Sequence, residues 1–209
     1  MIVQILARAP VAGEVKTRLI PGLGACRAAK LQRWMTDRAI ATALDAALGP
    51  VELWCAPDRG HPAVEALVRE RPLSLHDQLD GDLGARMAGA LAHGVAAAGS
   101  ALLIGSDCPF LTADDLRAAA CALARGRDAV LVPACDGGYV LIGLRRVDAR
   151  LFTGVEWGGS EVLKATRARL AQLTWQWTEL APRSDIDRPE DLALLAPLWM
   201  SGNGSNAGV

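Results

Sequence analysis

The sequence predicts an α/β fold in which helices cover both faces of a mixed, mostly parallel β-sheet. Short apolar runs alternate along the chain with longer stretches of helical periodicity, which is the pattern of strand–helix–strand units. The turn sequence Cys-Asp-Gly-Gly at residues 135–138 separates two apolar runs and favours one antiparallel hairpin within the sheet. A chain of 209 residues is long enough to bury one core, so we expect a single domain over residues 1–198.

Six segments of the chain are predicted to be strands. Five are short runs rich in Val, Ile and Leu that are bounded by turn residues, as buried strands are. The sixth alternates around Trp175 and Trp177 with the two-residue period of a strand. The predicted strands are residues 2–7, 51–55, 101–104, 129–132, 139–144 and 174–180.

Helical periodicity and capping residues define the stretches between the strands. Asp82 is a natural N-cap, Thr112 forms a capping box with Asp115, and Ser160 is the predicted N-cap of the helix that follows it. A final helix is predicted to begin at Pro189, because Pro suits the first helical position. The earlier helices are predicted at residues 25–48, 62–70, 83–98, 113–124 and 161–173, and the small polar tail at 199–209 is predicted to be disordered.

Composition and charge exclude several classes of protein. The 22 basic and 23 acidic residues give a formal charge of −1, so we expect no binding to duplex nucleic acid or to an anionic membrane surface. No apolar run approaches the ~20 residues of a membrane span, and the amino terminus lacks the features of a signal peptide. Five scattered cysteines without a Cys-x-x-Cys pair argue against a disulfide framework and a zinc site, and favour a cytoplasmic protein. The histidines have no ligand spacing, so we expect solvated or core roles for His61, His76 and His93.

A basic loop follows the first predicted strand. Residues 8–19 are Arg-Ala-Pro-Val-Ala-Gly-Glu-Val-Lys-Thr-Arg-Leu, which places Arg8, Lys16 and Arg18 around Gly13. Glycine lets the backbone approach a phosphate closely, while lysine and arginine donate charge-assisted hydrogen bonds to it. The loop is therefore a candidate phosphate site, and the alternative is a solvated basic turn that leads into the first helix.

An acidic residue, Asp107, follows the strand predicted at 101–104. A carboxylate at this position is well placed for Mg²⁺, which takes one or two carboxylates together with substrate phosphates. The alternative is a helix cap, but Thr112 already fills that role. Because the carboxyl ends of strands are where an open α/β sheet binds ligands, the basic loop and Asp107 together predict a nucleotide site.

Further candidates lie in turns near helix and strand ends. The hairpin turn holds Asp136, Gly137, Gly138 and Tyr139, where two glycines open space beside a carboxylate; a plain turn is the alternative. Arg86 lies one helical turn after Asp82, so it forms an intrahelical ion pair or holds a phosphate or sugar.

Two more candidate segments lie just before predicted helices. Trp157 precedes two glycines before a helix N-terminus, where an anion or a sugar can dock or where the loop serves only as a cap. Asp185 and Asp187 alternate in an extended segment, and both cannot cap the helix at Pro189, which leaves one of them to face a metal.

The chain contains six motifs in order: Ala-Arg-x-Pro-x-x-Gly-x-x-Lys-Thr-Arg-Leu, Gly-Asp-Leu-Gly-x-Arg-Met, Gly-Ser-Asp-Cys-Pro, Asp-Gly-Gly-Tyr, Leu-Phe-x-Gly-Val-x-Trp and Asp-Ile-Asp-x-Pro-Glu-Asp-Leu. Together they resemble the bacterial DUF2064 family, described as glycosyltransferase-like and associated with radical-SAM and selenodomain proteins. The resemblance covers about residues 2–197. It implies the GT-A fold, a Rossmann-like three-layer sandwich that nucleotide-diphospho-sugar transferases share with nucleotidyltransferases.

The resemblance also implies roles for individual residues. Asp107 matches the metal-binding aspartate, and Asp187, with Asp185 as the alternative, matches the second metal carboxylate. Lys16 matches the phosphate-binding loop and is a candidate catalytic residue, as is Asp136, the candidate base for an acceptor. Further phosphate-binding candidates are Arg8, Gly13, Arg18 and Ser106, and substrate-binding candidates are Asp82, Arg86, Gly137, Gly138, Tyr139 and Trp157.

The activity implied by the resemblance is sugar transfer from a nucleotide-diphospho-sugar to a small acceptor, dependent on Mg²⁺ or Mn²⁺. Only half of the glycosyltransferase Asp-x-Asp signature is present, because Gly105 precedes Ser106 and Asp107. Two alternatives therefore stay open: a nucleotidyltransferase that releases pyrophosphate from an NTP and a phosphorylated acceptor, and a nucleotide-binding module without turnover. The sequence leaves the base, the sugar, the acceptor and the oligomeric state undetermined.

Overall fold

A seven-stranded sheet lies at the centre of the computed structural model, which describes residues 1–195. The predicted domain limit at residue 198 and the predicted tail at 199–209 lie outside the described residues. The strands are β1 (Ile2–Arg8), β2 (Val51–Ala56), β3 (Ser74–Asp77), β4 (Ala101–Gly105), β5 (Ala129–Pro133), β6 (Tyr139–Leu144) and β7 (Trp177–Glu179). Their order across the sheet is β3-β2-β1-β4-β6-β5-β7.

The sheet is parallel except at one strand. β1 pairs in parallel with β2 and β4, β2 with β3, and β5 with β7. β6 runs antiparallel to both of its neighbours, β4 and β5, and the turn at residues 134–138 joins it to β5. The predicted mixed, mostly parallel sheet and its hairpin are confirmed.

Helices cover both faces of the sheet and make the three layers that the sequence predicts. They are α1 (Ile20–Leu23), α2 (Ala25–Ala46), α3 (Pro62–Val68), α4 (Leu83–Ala98), α5 (Ala113–Ala124) and α6 (Val162–Gln172). Ile40 of α2 and Leu116 of α5 belong to the core on one face, whereas Leu91 of α4 and Leu170 of α6 belong to the core on the other. None of the helices in the described residues is both long and apolar enough to cross a bilayer.

Two predicted caps are confirmed and one is wrong. Asp82 accepts a hydrogen bond from the N–H of Ala85, and Thr112 forms its capping box with Asp115. Ser160 does not cap α6, because Glu161 is the N-cap residue and no side chain caps the helix. The reason is the hairpin, since the Gly137 carbonyl accepts the N–H of Leu163 in the first turn and so replaces a side-chain cap.

The sequence misses β3 and overestimates the length of β7. Three of the four residues of β3 are polar, and the strand lies half-exposed at the sheet edge, so it lacks the apolar pattern that marks a buried strand. The strand predicted at 174–180 is confined to Trp177–Glu179. Trp175, which precedes it, packs under the guanidinium of Arg146 at 4.7 Å.

Close packing of α4 against the sheet requires glycine at position 94. A Cβ on Gly94 would lie 2.7 Å from the Cβ of Ala101 and 3.0 Å from Nε2 of Gln4. We expect Gly94→Ala to lower the free energy of unfolding by about 1–3 kcal/mol, because overpacking forces backbone or side chains to shift. Gly22→Ala, in α1 with open space around the new methyl group, is the control and should not destabilise the protein. Urea unfolding measures both, and equal stability of the two variants would contradict the packing described.

Candidate active site

A crevice of about 510 Å³ opens at the carboxyl-terminal edge of the parallel strands. The chain leaves β1 towards β2 on one side and later returns to β4 on the other, so the direction of winding reverses between β1 and β4. Open α/β sheets bind their ligands at such a switch point. The volume is typical of a site for a small molecule.

The ammonium group of Lys16 lies in this crevice between two carboxylates. Its Nζ is 3.2 Å from Oδ1 of Asp107 and 3.7 Å from Oδ1 of Asp187, and it donates a 2.6 Å hydrogen bond to the carbonyl oxygen of Ile186. The side chain of Lys16 is only 3% exposed. The structure therefore brings the basic loop, the end of β4 and the C-terminal segment together at one point.

The backbone of the basic loop is strained at Lys16, the residue that carries this ammonium group. Lys16 has φ 48° and ψ 41°, the left-handed conformation, which costs an L-residue roughly 1–2 kcal/mol. Such conformations concentrate at functional sites, because the surrounding contacts must hold them in place. Gly13, in the same loop, has φ 92°, and it lies outside the crevice wall.

A buried isoleucine positions the acidic residues of the C-terminal segment. Ile186 is fully buried beside Leu19 and Met35, and its N–H donates to the carbonyl of Asp107 at 2.9 Å. Because side chains alternate along extended chain, burying Ile186 turns Asp185 and Asp187 away from that core. Both carboxylates line the crevice.

The carboxyl group of Asp185 has a strongly raised pKa. Burial, together with the nearby charges of Asp136 and Asp107, raises its pKa to about 6 against the opposing effect of Lys16. Neighbouring carboxylates disfavour the charged form of a carboxyl group, and a bound cation would favour it. Such a cluster therefore indicates a site for a cation. The sequence offered Asp185 only as an alternative to Asp187, and the structure places both at the crevice.

The same segment is anchored to α5 by an ion pair. Both oxygens of Asp115 accept hydrogen bonds from Arg183, at 2.6 and 3.0 Å, and one also accepts the N–H of Thr112 at 2.9 Å. Burial raises the pKa of Asp115, but the hydrogen bonds from Arg183 and Thr112 outweigh it and hold the pKa below its usual 3.8. Arg183 lies two residues before Asp185, so this pair fixes the start of the acidic segment.

We expect Asp115→Asn to lower the free energy of unfolding by about 1.5–3 kcal/mol at neutral pH, the usual contribution of hydrogen bonds to charged groups. A carboxyl whose pKa is lower in the folded state stabilises the fold above pH 3.8, and this contribution is lost as pH falls through the folded-state pKa. The difference from wild type should therefore shrink below about pH 4. Asp114→Asn, at a neighbouring side chain that is 89% exposed and pairs with Arg117 at the surface, is the control and should change stability by no more than about 1 kcal/mol. A pH-independent difference in urea unfolding would contradict this account.

Three arginines supply the remaining positive charge of the crevice. Arg18 pairs with Asp187 through a short contact. Arg86 donates to the carbonyl of Gly81 at 3.1 Å, so the ion pair with Asp82 that the sequence offered as an alternative does not form. Arg8 lies exposed at the end of β1 and, among residues 1–195, makes no ion pair, which leaves its guanidinium available for an anion.

The opposite wall comes from the hairpin turn and the loop after residue 156. Asp136 accepts the N–H of Gly138 at 2.9 Å through Oδ1, so its second oxygen is available to a ligand. Burial raises the pKa of Tyr139, whose hydroxyl donates to the sulfur of Met87 at 3.8 Å. The Nε1 of Trp157 is buried and has no hydrogen-bond partner in the described part of the chain, although the ring lines the crevice.

Most of the residues proposed from the sequence line this one crevice. Gly13, Asp82 and Gly137 do not: Asp82 serves as the cap of α4, and Gly137 packs against the backbone of Ser160. The sequence analysis missed other lining residues, since a glutamine or a methionine within a helix or after a short strand carries no motif. The proposed residues that line the crevice are Arg8, Lys16, Arg18, Arg86, Ser106, Asp107, Asp136, Gly138, Tyr139, Trp157 and Asp187, and the missed ones include Gln32, Gln78 and Met87.

The donor set at the crevice suits a hard divalent cation. Asp107, Asp185 and Asp187 offer carboxylate oxygens, no histidine is found among the described residues that line the crevice, and the thiol of Cys108 is buried. Mg²⁺ and Mn²⁺ prefer oxygen ligands, and Mg²⁺ is commonly held by one or two carboxylates that share it with substrate phosphates. The residues present therefore fit the cation that the family resemblance implies.

Several solved structures share the fold of this chain. A protein of Desulfovibrio desulfuricans G20, proposed to be a nucleotide-diphospho-sugar transferase, is 25% identical, with a TM-score of 0.83 over 99% of this chain and 88% of its own. A CMP:2-keto-3-deoxy-manno-octonic acid synthetase in complex with CTP is 13% identical, with a TM-score of 0.61 over 96% and 98%. Rv0371c from Mycobacterium tuberculosis H37Rv, in complex with manganese, is 17% identical, with a TM-score of 0.55 over 93% and 97%. The fold is thus the one that nucleotide-diphospho-sugar transferases and nucleotidyltransferases share.

The chain belongs to the DUF2064 family, described as uncharacterized proteins conserved in bacteria. The family model matches residues 39–159, more than half of the sequence. Among curated proteins, none matches the sequence. The family resemblance and the predicted fold are confirmed.

Proposed function

We propose that this protein is a Mg²⁺- or Mn²⁺-dependent transferase that binds a nucleotide-diphospho-sugar and moves the sugar to a small acceptor. The observation that carries the proposal is the convergence of Lys16 with Asp107 and Asp187 in one crevice. An ammonium group and a pair of carboxylates complement the two halves of a metal–diphosphate complex, its phosphate oxygens and its cation. Likeness to the Desulfovibrio protein supports the same class of donor.

Three cationic side chains would bind the diphosphate. Lys16 and Arg18 would exchange their contacts with carboxylates for phosphate oxygens, and Arg8 needs to give up no ion pair within residues 1–195. Because Lys16 is buried and held in place by its backbone, its charge is already oriented before the ligand arrives. Preorganised charges of this kind stabilise the leaving diphosphate without reorganisation during the reaction.

Asp107 and Asp187 would hold the metal ion, with Asp185 beside them. When bound, the ion neutralises charge that develops on the leaving diphosphate. The three carboxylates lie within one strand end and one extended segment whose position is fixed by Ile186 and Arg183. The distances between the three carboxylates are therefore set by anchored segments of the chain.

The hairpin wall would bind the acceptor. Asp136 is the candidate base, because its second oxygen is unused by Gly138 and general-base catalysis requires a carboxylate within hydrogen-bonding reach of the acceptor hydroxyl. The indole ring of Trp157 lines the crevice and would pack against a sugar or the acceptor, whereas its N–H is buried. Tyr139, kept neutral by burial, would contribute packing and a hydroxyl.

Nucleotidyl transfer is the second candidate, and Gly105 favours it. Gly105 occupies the position of the first aspartate in the glycosyltransferase Asp-x-Asp signature, so this strand end supplies only Asp107. The same cationic residues would then hold the β- and γ-phosphates of an NTP that is attacked at its α-phosphate, and pyrophosphate would leave. A structure named as a nucleotidyl transferase, from Methanothermobacter, shares the fold at 15% identity.

A thermal-shift panel of nucleotides and nucleotide sugars, with and without Mn²⁺, tests the proposal. A ligand at 100 times its Kd adds about 2.7 kcal/mol of stability, so the true donor should raise the melting temperature clearly and only with metal. Release of a nucleoside diphosphate from the stabilising ligand would support sugar transfer, whereas release of pyrophosphate from an NTP would support nucleotidyl transfer. Tight binding without metal and without turnover would instead indicate a binding module, and no stabilisation by any member would overturn the proposal.

A further inference from the structure

We propose that Glu52, His76 and His93 form a second metal site, for a divalent ion of the zinc type, away from the crevice. Glu52 lies near the start of β2, His76 lies on the edge strand β3, and His93 lies on α4. In the part of the chain that the structure describes, these three side chains form the group whose possible ligand atoms all lie within 4.8 Å of one another. None of the three lines the crevice.

The distances match those that a small tetrahedral ion imposes on its ligands. Oε1 of Glu52 is 3.2 Å from Nε2 of His93 and 3.7 Å from Nε2 of His76. Zinc bonds of about 2.0–2.1 Å at tetrahedral angles separate neighbouring ligand atoms by roughly 3.3 Å. These two distances lie on either side of this separation, and the possible ligand atoms of all three residues lie within 4.8 Å of one another, so adjustments of the side chains would bring them around one ion.

Hydrogen bonds already orient the carboxylate for this role. Oε2 of Glu52 accepts hydrogen bonds from Nε2 of Gln4 at 2.9 Å and from Nε1 of Trp54 at 3.0 Å, which leaves Oε1 directed at the histidines. Gln4 is itself fixed by a 2.6 Å hydrogen bond to the carbonyl of Ala90. Outer groups that orient the ligands in this way are a regular part of metal sites.

The imidazole of His76 is also held in place. It stacks on Trp54 with ring centroids 4.8 Å apart and planes inclined by 15°. Ser74 Oγ lies 3.3 Å from the same Nε2 and is the partner of that nitrogen when no ion is bound. The ring of His93 lies 5.0 Å from that of His76, so both imidazoles face the single oxygen of Glu52.

The ligand types select a borderline ion rather than Mg²⁺. Two imidazoles with one carboxylate suit zinc, whereas Mg²⁺ prefers an all-oxygen set. Glu52 is 6% exposed and His93 is 45% exposed, so the site is closed on the protein side and open to solvent at His93. A water molecule would complete the coordination there, and the ion would clamp α4 and the polar edge strand β3 to β2.

Zinc titration of chelator-treated protein by calorimetry tests the site, with the melting temperature as a second readout. We expect one zinc per chain and a higher melting temperature. His93→Gln, at an exposed side chain that does not threaten folding, should weaken zinc binding by about 100-fold or more, because loss of an outer-sphere partner alone costs 10–100-fold. His76→Gln should do the same. Substitution of cobalt should give a tetrahedral spectrum without a sulfur-to-metal charge-transfer band.

Three controls separate this site from other metal-binding groups. His61→Gln removes the remaining histidine, and the triple variant Cys26→Ser, Cys121→Ser, Cys135→Ser removes the exposed thiols. Both variants should bind zinc as the wild type does. Asp107→Asn should also retain the zinc site, which makes the result independent of the proposed activity. Absence of zinc binding by the wild type, or unchanged binding by His93→Gln, would overturn the proposal, as would loss of binding in the cysteine variant.

Discussion

Asp107→Asn is expected to lower kcat/KM of metal-dependent turnover by about 10²–10³-fold, the effect of removing one preorganised electrostatic group from an active site. The substitution keeps the size of the side chain and removes its charge, so the metal ion and Lys16 both lose a ligand or partner at the end of β4. Half of the Asp107 side chain is exposed, so the fold should tolerate the change. Steady-state kinetics over a range of Mn²⁺ concentrations measures the loss.

The matched control is Asp45→Asn, at an exposed position of α2. It should retain the activity and the metal dependence of the wild type, because it lies outside the crevice. If Asp107→Asn keeps activity within about threefold of the wild type at all metal concentrations, the carboxylate does not hold a catalytic metal ion. The assignment of the crevice as a metal–nucleotide site would then fail.

Lys16→Met is expected to weaken nucleotide binding by about 1.5–3 kcal/mol, or about 10- to 150-fold in Kd, because a charge-assisted hydrogen bond to phosphate is lost. Methionine keeps the apolar stem in its buried slot, so packing changes little. The carbonyl of Ile186 loses its donor, and Asp107 and Asp187 lose the ammonium group that separates their charges. The variant should therefore also be less stable in the absence of ligand.

Calorimetric titration with the nucleotide identified by the thermal-shift panel measures this loss. Lys30→Met, at an exposed site on α2, removes one lysine without touching the crevice and should bind nucleotide normally. Equal nucleotide affinity of Lys16→Met and Lys30→Met would show that the ammonium group binds only carboxylates of the protein. That outcome would remove the phosphate-binding role from the loop after β1.

Most of the strands and helices could be predicted from local patterns in the sequence. The buried strands β1, β2, β4, β5 and β6 are predominantly apolar, with Gln4 and Glu52 among the few polar residues, so each is visible within its own few residues. β3 is not, because a polar edge strand is specified by pairing with β2 rather than by its own composition. The N-cap predicted at Ser160 was wrong for a similar reason. The acceptor for an N–H in the first turn of α6 is the carbonyl of Gly137, which lies in the hairpin outside the helix.

The candidate site could likewise be predicted where its residues follow a local pattern, and not where distant segments meet. Lys16 and Asp107 were visible because each follows a strand in a recognisable motif, and the sheet topology brings such ends together. The hydrogen bond from Lys16 to the backbone of Ile186 spans most of the chain and leaves no mark in either segment. Glu52, His76 and His93 have no ligand spacing in sequence, because three separate elements bring them together.

A crystal structure with Mn²⁺ and the stabilising nucleotide tests the central claim most directly. We predict an anomalous peak from Mn²⁺ bonded to the carboxylates of Asp107 and Asp187 and to phosphate oxygens, with the ammonium group of Lys16 on the same diphosphate or triphosphate. A nucleotide bound outside the crevice between β1 and β4, or Mn²⁺ bound to the phosphates without either carboxylate, would contradict the claim.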